Sequence, residues 1–160
     1  MIVLDERLKT ADEFIHIRLP FEVKDSADVM RISFCYFPKI IADEKYSTEL
    51  IEEGYKRCFP DEPIDPAVIK KRLPLTNLIT ISLDAPNGEY IGDAHRKNND
   101  ETYFISEKES SPGFLPRAID AGFWKIVLSV FSAEKNGVDV SVRVETENAP
   151  LTDGAGGEWA

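Results

Sequence analysis

The sequence predicts an all-β protein, an antiparallel β-sandwich of jelly-roll-like type with a short helical insertion at about 43–72. Two observations support the sandwich: apolar residues recur at every second position in five segments, and Asn-Gly pairs lie between the ends of predicted strands. A third observation locates the insertion, because the alternation is lost there. With 160 residues, we expect one domain that needs no disulfide or metal to stabilise its core.

The strands are predicted from their period of two, which places one apolar face toward a core and one toward solvent. In the third of these segments Ile79, Ile81 and Leu83 share a face, and in the fourth Trp124 and Leu128 do so. Weaker strand patterns occupy 89–94 and 102–106. The five strong segments are 13–19, 28–37, 77–85, 122–131 and 137–145.

The Asn-Gly pairs predict how these strands are joined. Asn87-Gly88 is typical of a tight two-residue hairpin turn, so we expect strands 78–84 and 89–94 to pair antiparallel. Asn136-Gly137 repeats the pattern and should join the Trp124 strand to the Val138 strand. Both predictions rest on the tolerance of Asn and Gly for positive φ.

Helical spacing replaces the alternation between residues 43 and 72. Asp65 followed by Pro66 is a strong helix start, and Leu50, Ile51 and Val68 are expected to pack inward. We predict two short helices that cover an edge or end of the sandwich. The domain is expected to span 1–149, and Pro and Gly in the last residues predict a flexible tail or linker at 150–160.

The net charge of −10 argues against nucleic acid and anionic membranes as partners, since both would repel an acidic surface. No apolar run approaches the length that spans a bilayer, and the N-terminus lacks the pattern of a signal peptide. Cys35 and Cys58 belong to no metal or redox motif and fit reduced thiols. We therefore predict a cytoplasmic protein.

Candidate metal ligands gather near the Asn87-Gly88 hairpin. Asp93 and His95 lie two apart on a predicted strand, Asp84 lies across the hairpin, and Asp100 follows closely. The acidic loop around Asp100 could also chelate Ca²⁺. With only two histidines in the chain, polar residues at a strand end are the favoured interpretation, and no cofactor is expected.

Aromatic side chains offer a second kind of candidate site. Tyr90, Tyr103 and Phe123 could form a stacking platform for a sugar or another small ligand on one sandwich face. Trp124 shares its face with aliphatic residues, so we assign it to the core.

The stretch "SSPGFLPRAIDAGFWKIVLSV" at 110–130 is unusual. Pro112 and Pro116 exclude a central strand, so the sequence predicts a stiff loop in which Phe114, Leu115 and Ile119 plug one end of the sandwich. The alternating Trp124 strand then follows.

The run from Asn77 to Glu145 also resembles a known family. "LITISLDAPNGEYIGDAHR", "FISEKESSPGFLPRAIDAGFWKIVL" and "VDVSVRV" are similar to the small β-sandwich domain that precedes the phosphoesterase domain of CehA/McbA-like PHP-type metallohydrolases. A looser similarity runs to bacterial pre-peptidase C-terminal domains. The metal ligands of that family lie in the following domain, and this sequence ends at about the point where it would start. The resemblance therefore implies an accessory domain without a PHP metal site.

The prediction for function is a non-catalytic β-sandwich module that acts through contact with a protein partner or as a homodimer. One alternative is a small-ligand or carbohydrate-binding module that uses Tyr90, Tyr103 and Phe123. The other alternative is a metal-dependent hydrolase that uses Asp84, Asp93 and His95.

Overall fold

Eight strands and two helices make up the computed structural model, which describes residues 1–8, 15–94 and 98–148. The predicted tail at 150–160 lies outside the described residues. In chain order the elements are β1 (Ile2–Leu8), β2 (Ile15–Val23), β3 (Val29–Phe37), α1 (Glu44–Cys58), α2 (Pro66–Arg72), β4 (Leu78–Asp84), β5 (Tyr90–Ala94), β6 (Asp100–Ser106), β7 (Gly122–Ser132) and β8 (Val138–Glu147).

The strands form two antiparallel four-stranded sheets, ordered β1-β8-β3-β6 and β2-β7-β4-β5. This is the strand order of an eight-stranded jelly roll, in which consecutive strands alternate between two packed sheets over most of the chain. The predicted all-β sandwich is confirmed. Strands β1 and β2 lie at one pair of sheet edges, and β6 and β5 lie at the other pair.

The core consists of the inward faces that the alternation predicted. Trp124 is completely buried near the start of β7, and its indole Nε1 donates a hydrogen bond to the Asp120 carbonyl at 2.9 Å. On β2 the prediction was only partly correct: Ile15 is exposed, whereas Phe21 and Val23, beyond the predicted segment, are buried. The other buried residues of this face pattern are Met30, Ile32, Phe34, Tyr36, Ile79, Ile81, Leu83, Ile126, Leu128, Val130, Val138, Val140, Val142 and Val144.

Strand β1 was not predicted. Its consecutive charges Asp5, Glu6 and Arg7 conceal the pattern in which Ile2 and Leu4 pack against the core. The strand pairs with β8 along its whole length. Its structure depends on that long-range pairing, which local sequence does not reveal.

The first Asn-Gly pair does lie between two antiparallel neighbours, β4 and β5, as predicted. Asn87 and Gly88 are not, however, the two central residues of the turn. Pro86 and Asn87 occupy the central positions, the Gly88 N–H donates to the Ala85 carbonyl at 2.9 Å, and Gly88 follows with φ of 83°. Proline fixes the φ that the first central position of a type I turn requires, which moves the turn back by one residue.

The second Asn-Gly pair connects β7 to β8, as predicted, but these strands do not pair with each other. They lie in different sheets, so Asn136 and Gly137 belong to a crossover between the layers. The same chemistry can close a hairpin or turn a chain from one sheet to the next, because it fixes only the local backbone.

The helical insertion is confirmed. Side chains cap both helices: Asp43 accepts from the Tyr46 N–H at 3.0 Å and Asp65 from the Ala67 N–H at 2.8 Å. Of the residues expected to pack inward, Ile51 is buried, while Leu50 and Val68 are half-buried. In the described part of the chain, no helix is long and apolar enough to cross a membrane.

The segment between β6 and β7 crosses the edges of both sheets. The Ser111 N–H donates to the Phe104 carbonyl on β6 at 2.9 Å, and the Leu115 N–H donates to the Ile91 carbonyl on β5 at 2.8 Å. This segment therefore covers the two edges at β5 and β6, where backbone groups would otherwise be unpaired.

The predicted plug is correct for two of its three residues. Phe114 and Ile119 are buried in the core cluster, but Leu115 is 60% exposed. Leu115 follows Phe114 in extended backbone next to β5, so its side chain points to the opposite side.

We expect Gly92→Ala to destabilise the fold, because a Cβ there would lie 2.1 Å from the Gly113 carbonyl oxygen of the crossing segment and φ is 142°. Chemical denaturation should show the free energy of unfolding lowered by about 2–3 kcal/mol. Gly54→Ala is the control: its Cβ would meet nothing within 4 Å, and alanine should stabilise helix α1 by about 0.5–1 kcal/mol. Equal unfolding free energies for wild type and Gly92→Ala would contradict the close packing.

Candidate functional site

The outer face of the β2-β7-β4-β5 sheet brings together several predicted site residues. Because Trp124 points into the core, its neighbour Phe123 points outward and is exposed. Asp84 on β4 is paired with Tyr90 on β5, and the Tyr90 side chain is exposed. Asp93, further along β5, faces the same side of the sheet. This face combines two accessible aromatic rings with two carboxylates.

Tyr90 and Asp93 form the most closely linked pair on this face. The Tyr90 hydroxyl donates a 2.5 Å hydrogen bond to the Asp93 carboxylate. Partial burial, this hydrogen bond and the nearby charges of Asp93 and Asp84 raise the pKa of Tyr90 to about 12. The phenol is therefore held in its neutral form and orients the carboxylate beside it.

Tyr103 does not belong to this face. It is 4% exposed and lies in the core against Phe114, with the ring centroids 5.2 Å apart. On β6 Tyr103 and Ile105 occupy the inward positions, and the two-residue period of a strand does not by itself say which of its two faces is buried. The aromatic platform is thus reduced to Tyr90 and Phe123.

The fold separates one of the predicted metal ligands, Asp100, from Asp84 and Asp93. Asp84 and Asp93 lie on adjacent strands of one sheet, whereas Asp100 lies on β6 of the other sheet, opposite Cys35. His95 lies outside the described residues. Within residues 1–8, 15–94 and 98–148, no three His, Cys, Asp or Glu side chains are arranged to hold a metal ion.

The other sheet also has a polar outer face. Asp5, Ser141, Cys35 and Asp100 follow one another across β1, β8, β3 and β6, and they line a shallow depression. The thiol of Cys35 is exposed. Cys35 lies between the buried residues Phe34 and Tyr36, and the two-residue alternation of the strand therefore directs its side chain to solvent.

Arg117 is a residue that sequence reasoning did not single out. Its guanidinium forms ion pairs with Glu89 of the β4–β5 hairpin and, at 3.7 Å, with Asp120, and it lies 6.0 Å from the Trp124 ring centroid. Hydrogen bonds from Asn87 and Arg117, together with the guanidinium charge, lower the pKa of Glu89. Arg117 thus fastens the crossing segment to the hairpin beside Tyr90.

A polar cluster connects the end of β3 to the start of β4. The Lys39 ammonium donates to the Tyr36 hydroxyl at 2.6 Å, and that hydroxyl donates to the Asn77 carbonyl at 3.2 Å. Burial raises the pKa of Tyr36, with a further contribution from the Glu101 charge, and burial lowers the pKa of Lys39. These hydrogen bonds supply partners to buried polar groups that water does not reach, at the point where the chain leaves the sandwich for the helices.

The helical insertion forms an apolar cleft that the sequence did not predict. One wall is the face of α1 that carries Leu50, Gly54 and Cys58, and the other includes Leu75 and Phe131. We call this the α1 cleft; its volume is about 410 Å³. The available signal was the four-residue spacing along α1 together with Phe131, which follows the buried Val130 and therefore points out of the sandwich.

No family model matches the chain, and no curated protein matches it in sequence. Among solved structures, a crystal structure of a protein from Sulfurospirillum deleyianum is similar to 91% of this chain and 98% of its own chain. The sequence identity is 11% and the TM-score is 0.34.

We expect the phenol of Tyr90 to remain protonated at pH 11, because its pKa is raised to about 12, and Asp93→Asn to lower that pKa by removing the carboxylate. NMR titration of protein labelled at the tyrosine Cζ would measure both midpoints. Asp100→Asn, on the other sheet, is the charge-matched control and should leave the Tyr90 midpoint unchanged. A wild-type midpoint near the ordinary tyrosine value of about 10 would contradict the coupling.

Proposed function

We propose that this chain is a non-catalytic β-sandwich module that acts by contact with another protein, like the domain that precedes the phosphoesterase domain in PHP-type metallohydrolases. The inner faces of the two sheets are filled with apolar side chains. The polar side chains gathered at the predicted sites lie on outer faces, where they are suited to recognition. The partner would be a separate chain or another domain.

The α1 cleft is the observation that carries this proposal. Phe59 and Phe131 line it and are 47% and 43% exposed, although aromatic side chains of this size contribute most to stability when they are buried. Concave apolar surface with a few polar groups is typical of binding sites. A module that uses this surface needs no reaction centre.

We further propose that the protein acts in the cytoplasm, a reducing compartment, and that its partners are neither nucleic acids nor membranes. Cys35 and Cys58 are both exposed free thiols, which supports a reducing environment. The net charge of −10 supports a partner that is not a polyanion.

A small-ligand or carbohydrate site is the second candidate. The shared outer face of Tyr90 and Phe123, with the Asp84 and Asp93 carboxylates beside them, favours it, since carboxylates accept hydrogen bonds from sugar hydroxyls and rings stack on apolar sugar faces. It ranks below the protein partner because its two aromatic rings lie on an open sheet face, whereas the α1 cleft is concave.

The purified chain should not hydrolyse bis(p-nitrophenyl) phosphate when supplied with Mn²⁺, Zn²⁺ or Ca²⁺, because among the described residues no third ligand accompanies Asp84 and Asp93. Release of p-nitrophenol should equal that of a metal-only blank. Turnover that persists through purification and is abolished in Asp84→Asn and Asp93→Asn would replace the proposal with the hydrolase alternative.

The α1 cleft should bind a neutral apolar dye, because its walls are apolar and accessible. We expect Nile red emission to increase with wild-type protein and to fall severalfold in Gly54→Leu, whose side chain would enter the cleft. Phe123→Ser, on the outer sheet face, is the control and should keep the wild-type signal. The opposite pattern, with loss only in Phe123→Ser, would move the binding surface to the second candidate site.

A further inference from the structure

We propose that the α1 cleft binds an acidic amphipathic helix of a partner protein, with apolar side chains along α1 and a carboxylate on Arg72. This inference rests on the proposed function and adds the chemistry of the partner. Three features of the cleft lead to it: the shape of its walls, the glycine in one of them and the charge at its rim.

The shape suits a helix. Leu50, Gly54 and Cys58 recur every four residues and so form one longitudinal stripe on α1, which is 15 residues or about 22 Å long. Leu75 and Phe131 form the facing wall. An amphipathic helix laid in such a groove buries side chains at positions three and four apart, a common mode of peptide recognition.

Gly54 has no role that the chain itself explains. It lies in the interior of α1, where glycine costs about 1 kcal/mol relative to alanine. Unlike Gly92 or Gly113, it is not required by a close backbone contact, since a Cβ there would meet nothing within 4 Å. A large apolar side chain of a partner helix fits over this position, and it would be excluded by a larger residue.

The charge at the rim selects the partner. Glu53 and Arg57 both line the cleft and neutralise each other through a 2.7 Å ion pair. Arg72, which also lines it, ends α2 after Lys70 and Lys71, and among the described residues none of these three cations has an ion-pair partner. Of these three, Arg72 alone lines the cleft, and it places one uncompensated positive charge at the rim on a protein whose net charge is −10.

A carboxylate is the group that best matches this charge. The planar guanidinium of Arg72 can donate two parallel hydrogen bonds to the two oxygens of a carboxylate, and the apolar wall beside it strengthens the interaction by excluding water. A nucleic acid would present many phosphates to apolar walls and to the acidic remainder of the surface, which disfavours it. A helix with one acidic side chain on an otherwise apolar face would pair with the Arg72 guanidinium and pack its apolar side chains against the cleft walls.

Two labelled 16-residue peptides would test the inference by fluorescence anisotropy. Both carry Leu at helical spacing on one face and neutral Gln elsewhere; next to the Leu face, one (the Glu peptide) has a single Glu and the other (the Lys peptide) a single Lys. The variants are Arg72→Glu, Gly54→Leu and, as a control with the same change in charge, Arg143→Glu on the outer face of β8, remote from the cleft.

We expect the Glu peptide to bind wild type at least tenfold more tightly than the Lys peptide. Arg72→Glu should weaken the Glu peptide at least tenfold and strengthen the Lys peptide, Gly54→Leu should abolish binding of both, and Arg143→Glu should change affinity less than threefold. Equal or stronger binding of the Lys peptide that Gly54→Leu still abolishes would overturn the acidic partner and leave the docking function intact. Absence of binding by either peptide, or binding unaffected by Gly54→Leu, would overturn the helix-binding cleft itself.

Discussion

Each sheet of this protein has one apolar face, and the two faces must be buried against each other for either sheet to be stable. The segment between β6 and β7 completes that packing at β5 and β6 by hydrogen bonding to both edges. Its backbone passes so close to β5 that only glycine fits at position 92. Arg117, Asp120 and Trp124 then fix the segment to the hairpin and to the core.

This closure determines which side chains remain accessible. With the interior filled and one pair of edges covered, accessible side chains belong to the outer sheet faces and to the helical insertion. The outer face of β2-β7-β4-β5 presents Tyr90 with its carboxylate neighbours on a rigid strand pair. The insertion instead presents a concave surface, because α1 does not pack its whole apolar stripe against the sandwich.

The local sequence predicted most of the strands and the start of α2 correctly, because alternation and capping depend on residues only a few positions apart. Trp124 was correctly placed in the core, and Asp65 correctly began α2. Sequence could not say that Tyr103 faces inward, that Gly137 turns the chain between sheets, or that β1 pairs with β8, because each depends on partners distant in the chain. The α1 cleft was missed for the same reason: its walls come from three separate elements.

Within residues 1–8, 15–94 and 98–148 no segment covers the edges at β1 and β2, and these edges carry residues that disfavour the addition of another strand. Pro20 removes one backbone donor from β2, and Glu6 occupies a position on β1 between Leu4 and Leu8, on the face that continues into the core. A neighbouring molecule that added a strand at either edge would lose a hydrogen bond or bring a carboxylate into an apolar layer. Polymerisation into extended fibrils through these edges is thereby disfavoured.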